Sequence, residues 1–358
     1  MGTYILHKIG YAFLTLFGVV TVIFFLFNIL PGDPAKMMLG QNQTAAQVAI
    51  VKKKYGFDKP ILTQYAYYIN DLLPISFHST KENDYTYLAT GKYSAAKLFT
   101  IGNTTTVVKL PYLRESFQKS GKSVSQVIRE TLPNTIVLAI AAISIAMLLG
   151  IIFGIISALY KDTFIDKTIQ IISTLGMSVP SFFSAILFAW IFGFLLHEFT
   201  NLNMTGSLYE VDDFGESVSI RWKNLILPAI VLGIRPLAVV IQLMRNSLLE
   251  VFNQDYIRTA RAKGLSEFQI IKKHAVKNAL NPVITAISGW FASMLAGAVF
   301  VEYIFGWNGL GKEIVDALNS QDLPIIMGSV LIIAAMFIII NILVDVIYGW
   351  LDPKIRLQ

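Results

Sequence analysis

The sequence predicts an all-α membrane protein: six transmembrane helices, an extracytoplasmic insertion domain after the first, and a cytoplasmic two-helix loop between the fourth and fifth. Three observations carry that expectation. Of the 358 residues, 54% are hydrophobic and only 15% are charged, against about 25% charged in an ordinary soluble domain. Several apolar runs exceed the ~18 residues that a spanning helix needs. One long basic stretch, residues 255–282, interrupts the apolar second half. The formal net charge of +6 fits the positive-inside bias of membrane proteins. No soluble basic patch interleaved with aromatics is present, so a nucleic-acid partner is not expected. The absence of cysteine removes disulfides, thiolate metal sites and cysteine nucleophiles together.

Residues 9–30 form an apolar run of 22 residues behind His7 and Lys8. No small-x-small cleavage pattern follows, and a signal-peptide core runs to only about 7–15 residues, so a retained first span is expected. Residues 31–133 are polar and rich in Tyr and Lys. Loops beyond about 15 residues rarely lack structure, which points to a small extracytoplasmic domain. Its part from Ser76 to Ser120 matches no pattern, and Lys52, Lys53 and Lys54 read as a solvated face. Residues 135–160 make the second span, where Ala146, Gly150, Gly154 and Ala158 repeat every four residues and let another helix approach closely. The third, 171–196, carries Pro180, which kinks or breaks it. Residues 225–244 make the fourth span. Residues 283–305 make the fifth, with Gly289, Ser293 and Gly297 on one packing face, and 325–350 make the sixth. The chain divides accordingly into an N-terminal span (1–30), the insertion (31–133) and a membrane core (134–358) with its loop at about 246–282.

Orientation follows from the short loops. With the N-terminus inside, the inner segments hold Lys8, Lys161, Lys167, the many cations between Arg245 and Lys277, and the tail's Lys354 and Arg356. The short outer loops hold only Arg221, Lys223 and Lys312. Both termini are expected in the cytoplasm.

The loop reads DYIRTARAKGLSEFQIIKKHAVKNALNP. Arg261 and Lys263 sit where cations favour a helix C-terminus, and Gly264 follows where a left-handed cap is easiest. Ser266 and Gln269 spell a capping box that starts a second helix. In it Leu265, Phe268, Ile271, Ala275 and Ala279 make one apolar stripe, opposite Gln269, Lys273 and Lys277, and Pro282 ends the element. A stripe in an isolated loop calls for something to cover it, which points to a docking element. A plain solvated basic loop is the alternative.

Asp255, Tyr256, Arg258, Thr259, Ala260, Arg261, Ala262, Lys263, Gly264 and Leu265, then His274, Ala275, Asn278, Ala279 and Pro282, resemble the so-called EAA loop of permease subunits of ABC importers, and most of all its peptide/nickel branch. NILPGDPA at 28–35, YGFDKPILTQY at 55–65, VEYIFGWNGLG at 301–311 and the LDPKIR ending are similar to segments of that branch, with Asn308 in place of its usual proline. The resemblance implies one half of the translocation pathway for oligopeptides or dipeptides in a bacterial inner membrane. It implies as partners a paralogous second permease, two ATP-binding subunits that hold ATP and magnesium, an extracytoplasmic solute-binding protein and the lipid bilayer. The loop, with Phe268 included, would couple to the ATPases. No cofactor is bound by this chain itself and no enzyme activity belongs to it. The same machine for a nickel chelate or glutathione, and a non-transport scaffold that recruits a partner through the basic loop, are the alternatives.

Other residues carry weaker signals. GWNGLGKE at 306–313 nearly spells a phosphate loop, but Glu313 stands where a Ser or Thr hydroxyl would hold magnesium. Arg235, mid-span and next to Pro236, costs at least about 2.5–3.5 kcal/mol to bury in a bilayer. It either satisfies itself on freed carbonyls or a partner carboxylate, or lines the solute path and attracts a peptide carboxylate. Glu302 is a second candidate for the path, or a structural partner of a neighbouring cation. His274 has no second ligand at metal spacing. The sequons at Asn42, Asn103 and Asn203 carry no weight, and no nucleophile, base and oxyanion set is legible.

Overall fold

The computed structural model describes residues 2–29, 33–39, 43–82, 84–88, 93–211 and 217–351. Residues 30–32 of the NILPGDPA stretch, Asn42, and the tail with Asp352, Pro353, Lys354 and Arg356 lie outside the described residues. In chain order the helices are α1 (Gly2–Ile29), α2 (Pro34–Leu39), α3 (Ala45–Tyr55), α4 (Ile61–Leu72), α5 (Val124–Leu159), α6 (Phe164–Ser178), α7 (Ser181–Phe188), α8 (His197–Thr200), α9 (Lys223–Phe252), α10 (Asp255–Ala262), α11 (Glu267–Ile270), α12 (Val276–Gly297), α13 (Val299–Phe305), α14 (Leu310–Ser320) and α15 (Leu323–Leu351). Two π-helical segments, Ala189–Leu195 and Ile271–Ala275, extend α7 and join α11 to α12. The strands are β1 (Ile75–Ser79), β2 (Ala95–Ile101) and β3 (Thr104–Lys109), in the order β1-β3-β2, and the pair β4 (Tyr209–Val211) and β5 (Val218–Ile220).

Those strands correct the all-α expectation. TTTVVK in β3 is β-branched and favours a pleated surface. Gly102, at φ 58°, supplies the left-handed turn that folds β2 back on it. Of the six expected spans, four are single continuous helices. Among the described residues four helices are long and apolar enough to cross a bilayer: His7–Asn28, Val124–Leu159, Lys223–Phe252 and Leu323–Val344. The other two are bent pairs. Phe164–Ser178 and Ser181–Leu195 meet at 108°, and Glu267–Leu295 meets Val299–Phe305 at 58°. The first break lies at Pro180, whose ring forces Val179 into extended backbone.

Two other prolines do not act as stops. The second span begins at Val124, on a capping box between Ser123 and Gln126, and runs straight through Pro133. Pro282 lies inside α12 and does not end the element. In both helices the carbonyl that the ring leaves unpaired belongs to an exposed residue, Arg129 or Asn278.

The chain splits into two compact units. One comprises Gly10–Glu130 and Ile314–Ala334. There Phe24 of α1 is buried among Val20, Ile23, Tyr68 and Met327. Asp71 is the hub of the insertion. Its carboxylate accepts from Tyr85 Oη at 3.0 Å, Tyr93 Oη at 3.1 Å and Arg114 Nε at 3.0 Å. Its carbonyl accepts from Lys109 Nζ and the Tyr112 amide. The Arg114 guanidinium lies 5.0 Å from the Tyr68 ring centroid. The stretch without a sequence pattern is thus a small folded domain around one buried aspartate.

The other unit comprises Met1–Ile9, Thr131–Glu313 and Ala335–Gln358. Helix α9 is its axis. A Cβ on Gly150 would meet Val240 Cγ1 at 2.5 Å, and one on Gly154 would meet Met244 Cβ at 2.6 Å and the Ile241 carbonyl at 3.0 Å. Gly233 on α9 approaches the Ala142 carbonyl in the same way, at 2.9 Å. Gly289 differs: nothing lies within 4 Å of a Cβ placed there. Ser293 is exposed, and Gly297 ends α12.

Two outcomes are expected. Gly154→Val should overpack the α5–α9 contact and destabilise the protein by about 1–3 kcal/mol, while Gly289→Ala should leave the unfolding temperature in detergent unchanged. Burial pushes the Tyr68 phenol up to about 12 and also raises those of Tyr85, Tyr93 and Tyr112. A phenol raised on folding stabilises the fold fully below its unfolded pKa, near 10, and loses that contribution as pH climbs through the folded value. Part of the tyrosinate absorbance should therefore appear only in a late cooperative step above about pH 10, coincident with loss of sheet dichroism.

Candidate functional site

Helices α10 and α11 form a corner. Gly264 turns it at φ 78°. The Arg261 guanidinium reaches across to Glu267, Nε to Oε1 at 2.9 Å. Ser266 and Gln269 close a capping box that starts α11. The inner face of the corner is covered by the chain itself: Ile257, Ala260, Ile270, Ala275, Ala279 and Val283 pack with Val240, Met244, Leu248 and Val251 of α9. This corrects the stripe read from the sequence. The π-helical segment adds a residue to one turn, so the buried positions run 270, 275, 279 and 283. Phe268 drops off that face and is 71% exposed, and Ile270 takes its place at 0%. Asp255, Tyr256, Arg258, Ala262 and Lys263 are exposed and Leu265 is half-buried. Lys272 Nζ sits 5.9 Å from the Phe268 ring centroid. The Asn278 amide donates to Tyr256 Oη at 3.2 Å and ties α10 to α12.

The end of α9 that leads into this corner is pinned by a pair the sequence reading passed over. Arg245 donates from Nε to Asp166 Oδ1 at 2.8 Å and from Nη2 to Oδ2 at 2.7 Å. Ser157 Oγ and the Asp162 amide also donate to Asp166. An acidic residue in the first turn of α6, followed directly by Lys167, was the available signal.

Glu302 is fully buried on α13. Its partners are not a cation, as one reading had it, but the first amides of α14: Gly311 N at 2.7 Å and Lys312 N at 3.1 Å donate to Oε2. The start of α14 thus finds an acceptor for its unpaired amides within the protein. Cβ atoms on Gly309 or Gly311 would collide with Glu302, and one on Gly311 would also lie 2.6 Å from Val299 Cα, which accounts for the GLG sequence. The amides that a phosphate loop would present are therefore already engaged by protein. Trp307, wholly buried, donates from Nε1 to the Asn134 carbonyl at 3.0 Å, and the Asn134 amide donates to the Asn308 carbonyl at 2.7 Å.

Arg235 lines a cleft at the α6–α7 break, with Gly176, Ser181, Ser184, Trp290 and Ser293 around it. Among the described residues its guanidinium forms no hydrogen bond or ion pair. Helices long and apolar enough to cross a bilayer, one of them broken beside this cleft, define the class of a multi-span membrane protein.

Sequence comparison narrows that class. The chain belongs to the family of binding-protein-dependent transport system inner membrane components, whose model matches residues 150–357, with the family's N-terminal model matching 1–139. It is 32% identical to the di/tripeptide transport system permease protein DppB of Pseudomonas aeruginosa, over 100% of both chains. It is 31% identical to the dipeptide transport system permease protein DppB of Bacillus subtilis, over 100% of this chain and 99% of that one. A solved inward-facing MetNI methionine ABC transporter shares the fold at TM-score 0.50 and 14% identity, covering 63% of this chain and 97% of that one. The protein is a permease subunit of an ABC importer, a transport component and not an enzyme.

Glu302→Ala leaves two helix-terminal amides without an acceptor, a loss of about 1–3 kcal/mol for each one that stays buried. Glu302→Gln keeps one acceptor oxygen. Thermal unfolding in detergent should rank wild type above Glu302→Gln and Glu302→Gln well above Glu302→Ala.

Proposed function

We propose that this chain forms half of the translocation pathway of an importer for dipeptides or oligopeptides, paired with a paralogous permease. On this reading two ATP-binding subunits, which carry the ATP and magnesium, dock on the α10–α11 corner in the cytoplasm. An extracytoplasmic solute-binding protein delivers the peptide. The termini are cytoplasmic, and the insertion at 31–133 is extracytoplasmic.

The observation that carries the reading is the two-sided corner. Its inner face is packed on α9 and α12, while its outer side offers Tyr256, Ala262, Lys263 and Phe268 to another chain. A phenylalanine 71% exposed in a polar loop contributes little to the fold of its own chain. The full-length identity to dipeptide permeases supports the peptide cargo. The small-residue seam of Gly150 and Gly154 against α9 supports a tilting bundle, because helices in close backbone contact repack as rigid bodies. The open face at Gly289, with Ser293 and Gly297 on the same helix, is left for the second permease.

Purification from native membranes should bring down two ATPase polypeptides and one related permease, and the reconstituted complex should hydrolyse ATP faster with peptide-loaded binding protein. Phe268→Ala should leave this subunit's own unfolding temperature unchanged yet reduce ATPase recovery severalfold. Gly264→Val, which strains a left-handed position, should lower peptide uptake. Full ATPase recovery with Phe268→Ala would sink the docking assignment.

A further inference from the structure

The cleft beside α9 has chemistry of one sign. Arg235 is the only charged residue among those that line it. It stands between Ile234 and Pro236 in a thirty-residue apolar helix, a costly place for a charge that nothing among the described residues neutralises. The other polar groups on the wall can all donate: the hydroxyls of Ser181, Ser184 and Ser293 and the indole N–H of Trp290. Ser184 is only 7% exposed, and its hydroxyl has no hydrogen-bond partner among the described residues. That hydroxyl opens on the cleft and is free to donate to a ligand atom there. Helix α7 begins at the same cleft. Its first turn has no side-chain cap, so its amide groups add further positive potential. Among the described residues no carboxylate lines the space to compete.

We propose that this cleft is a carboxylate-receiving subsite that takes the free C-terminal carboxylate of a peptide in transit. The inference rests on the peptide-import reading above and adds to it the group that the membrane step recognises. Guanidinium and carboxylate match as a planar two-bond fork, with Ser184 and the first turn of α7 placed to share the second oxygen. Val179, Val231, Leu232 and Met294 line the rest and suit the apolar part of a terminal residue. The C-terminus is the anionic group that peptides of any composition share, so a subsite for it is compatible with a broad cargo range. A broken spanning helix that turns the N-terminus of its second half toward an anion is a physically economical way to hold one away from water.

The test uses the complete importer in proteoliposomes, with one alanine-containing tripeptide and its C-terminal amide, and with binding-protein loading verified for both. The binding protein is common to every arm, so the ratio of variant to wild-type uptake isolates the membrane step. Arg235→Gln should slow the free acid about 10- to 100-fold, as expected for loss of a charged hydrogen-bonded pair, and slow the amide far less. Arg235→Lys, which keeps the charge but not the fork, should recover only part of the free-acid rate, and Ser184→Ala should lower it severalfold. Equal falls for acid and amide, as an arginine paired to a neighbouring subunit would give, overturn the inference. So does an unchanged free-acid rate in an Arg235→Gln complex whose subunits co-purify intact. Uptake of neither peptide by wild type overturns the peptide reading itself, and wild-type uptake with undiscriminating variants overturns only the subsite.

Discussion

The bidentate pair between Asp166 and Arg245 is the constraint on which the membrane unit depends. It joins the first turn of α6 to the last third of α9, and Ser157 brings in the end of α5. The Asp166 side chain is 3% exposed and that of Arg245 18%. Coulomb attraction at that depth is strong, but so is the cost of leaving either charge alone, about 3–5 kcal/mol when one partner is removed. The two-bond fork also fixes direction, so α6 cannot rotate about its axis without breaking it. Three spanning helices therefore share one fixed point, close to where the chain leaves α9 for the α10–α11 corner.

From that point the packing along α9 follows in order. Met244, Ile241 and Val240 meet the glycines of α5, where the absence of a Cβ lets backbones touch. Ile234 meets Gly176 of α6, Cγ2 at 2.9 Å from a Cβ built there. Arg235 follows at the break of the third span. Close packing makes the α5–α9 pair stiff, while Pro180 removes the ladder that would make α6 and α7 one rod. At the other end of the bundle, Glu302, Trp307 and Asn134 tie α13 and the start of α14 to α5 by direct hydrogen bonds.

Local chemistry wrote the features that the sequence made plain. The apolar runs, the helix-ending Gly264, the Ser266–Gln269 box and the break at Pro180 each depend on a few neighbouring residues, and each is visible in a short window. What stayed hidden depends on partners far apart in the chain. Asp71 looks like any surface aspartate until Tyr85, Tyr93 and Arg114 fold onto it. Asp166 gains meaning only beside Arg245, seventy-nine residues later. Glu302 read equally as a path residue or as the partner of a cation, whereas helix-terminal amides claimed it. The phase of the loop stripe failed for a different reason. A single π-helical segment shifts every later position, and no residue in IKKHA announces it. Pro133 and Pro282 show the limit of a proline rule applied without knowledge of solvent: a missing hydrogen bond matters little where the freed carbonyl can meet water.

These constraints decide how a push on the corner would travel. Ile257, Ile270 and Val283 form one buried cluster with Met244, Leu248 and Val251. A displacement of α10 and α11 therefore cannot be absorbed locally without opening a cavity, which close-packed interiors resist. It passes into α9, where the Asp166–Arg245 pair turns a sliding motion into a rotation about that point. A helix pivoting near one end moves most along its length away from the pivot, and Arg235 and the α6–α7 break lie there. On the transport reading, the charge that meets the solute sits on the arm of the lever that the motor moves. The same geometry explains why the cleft is placed at a broken helix: an intact α6–α7 rod, held by Asp166 at one end, would lock the arm in place.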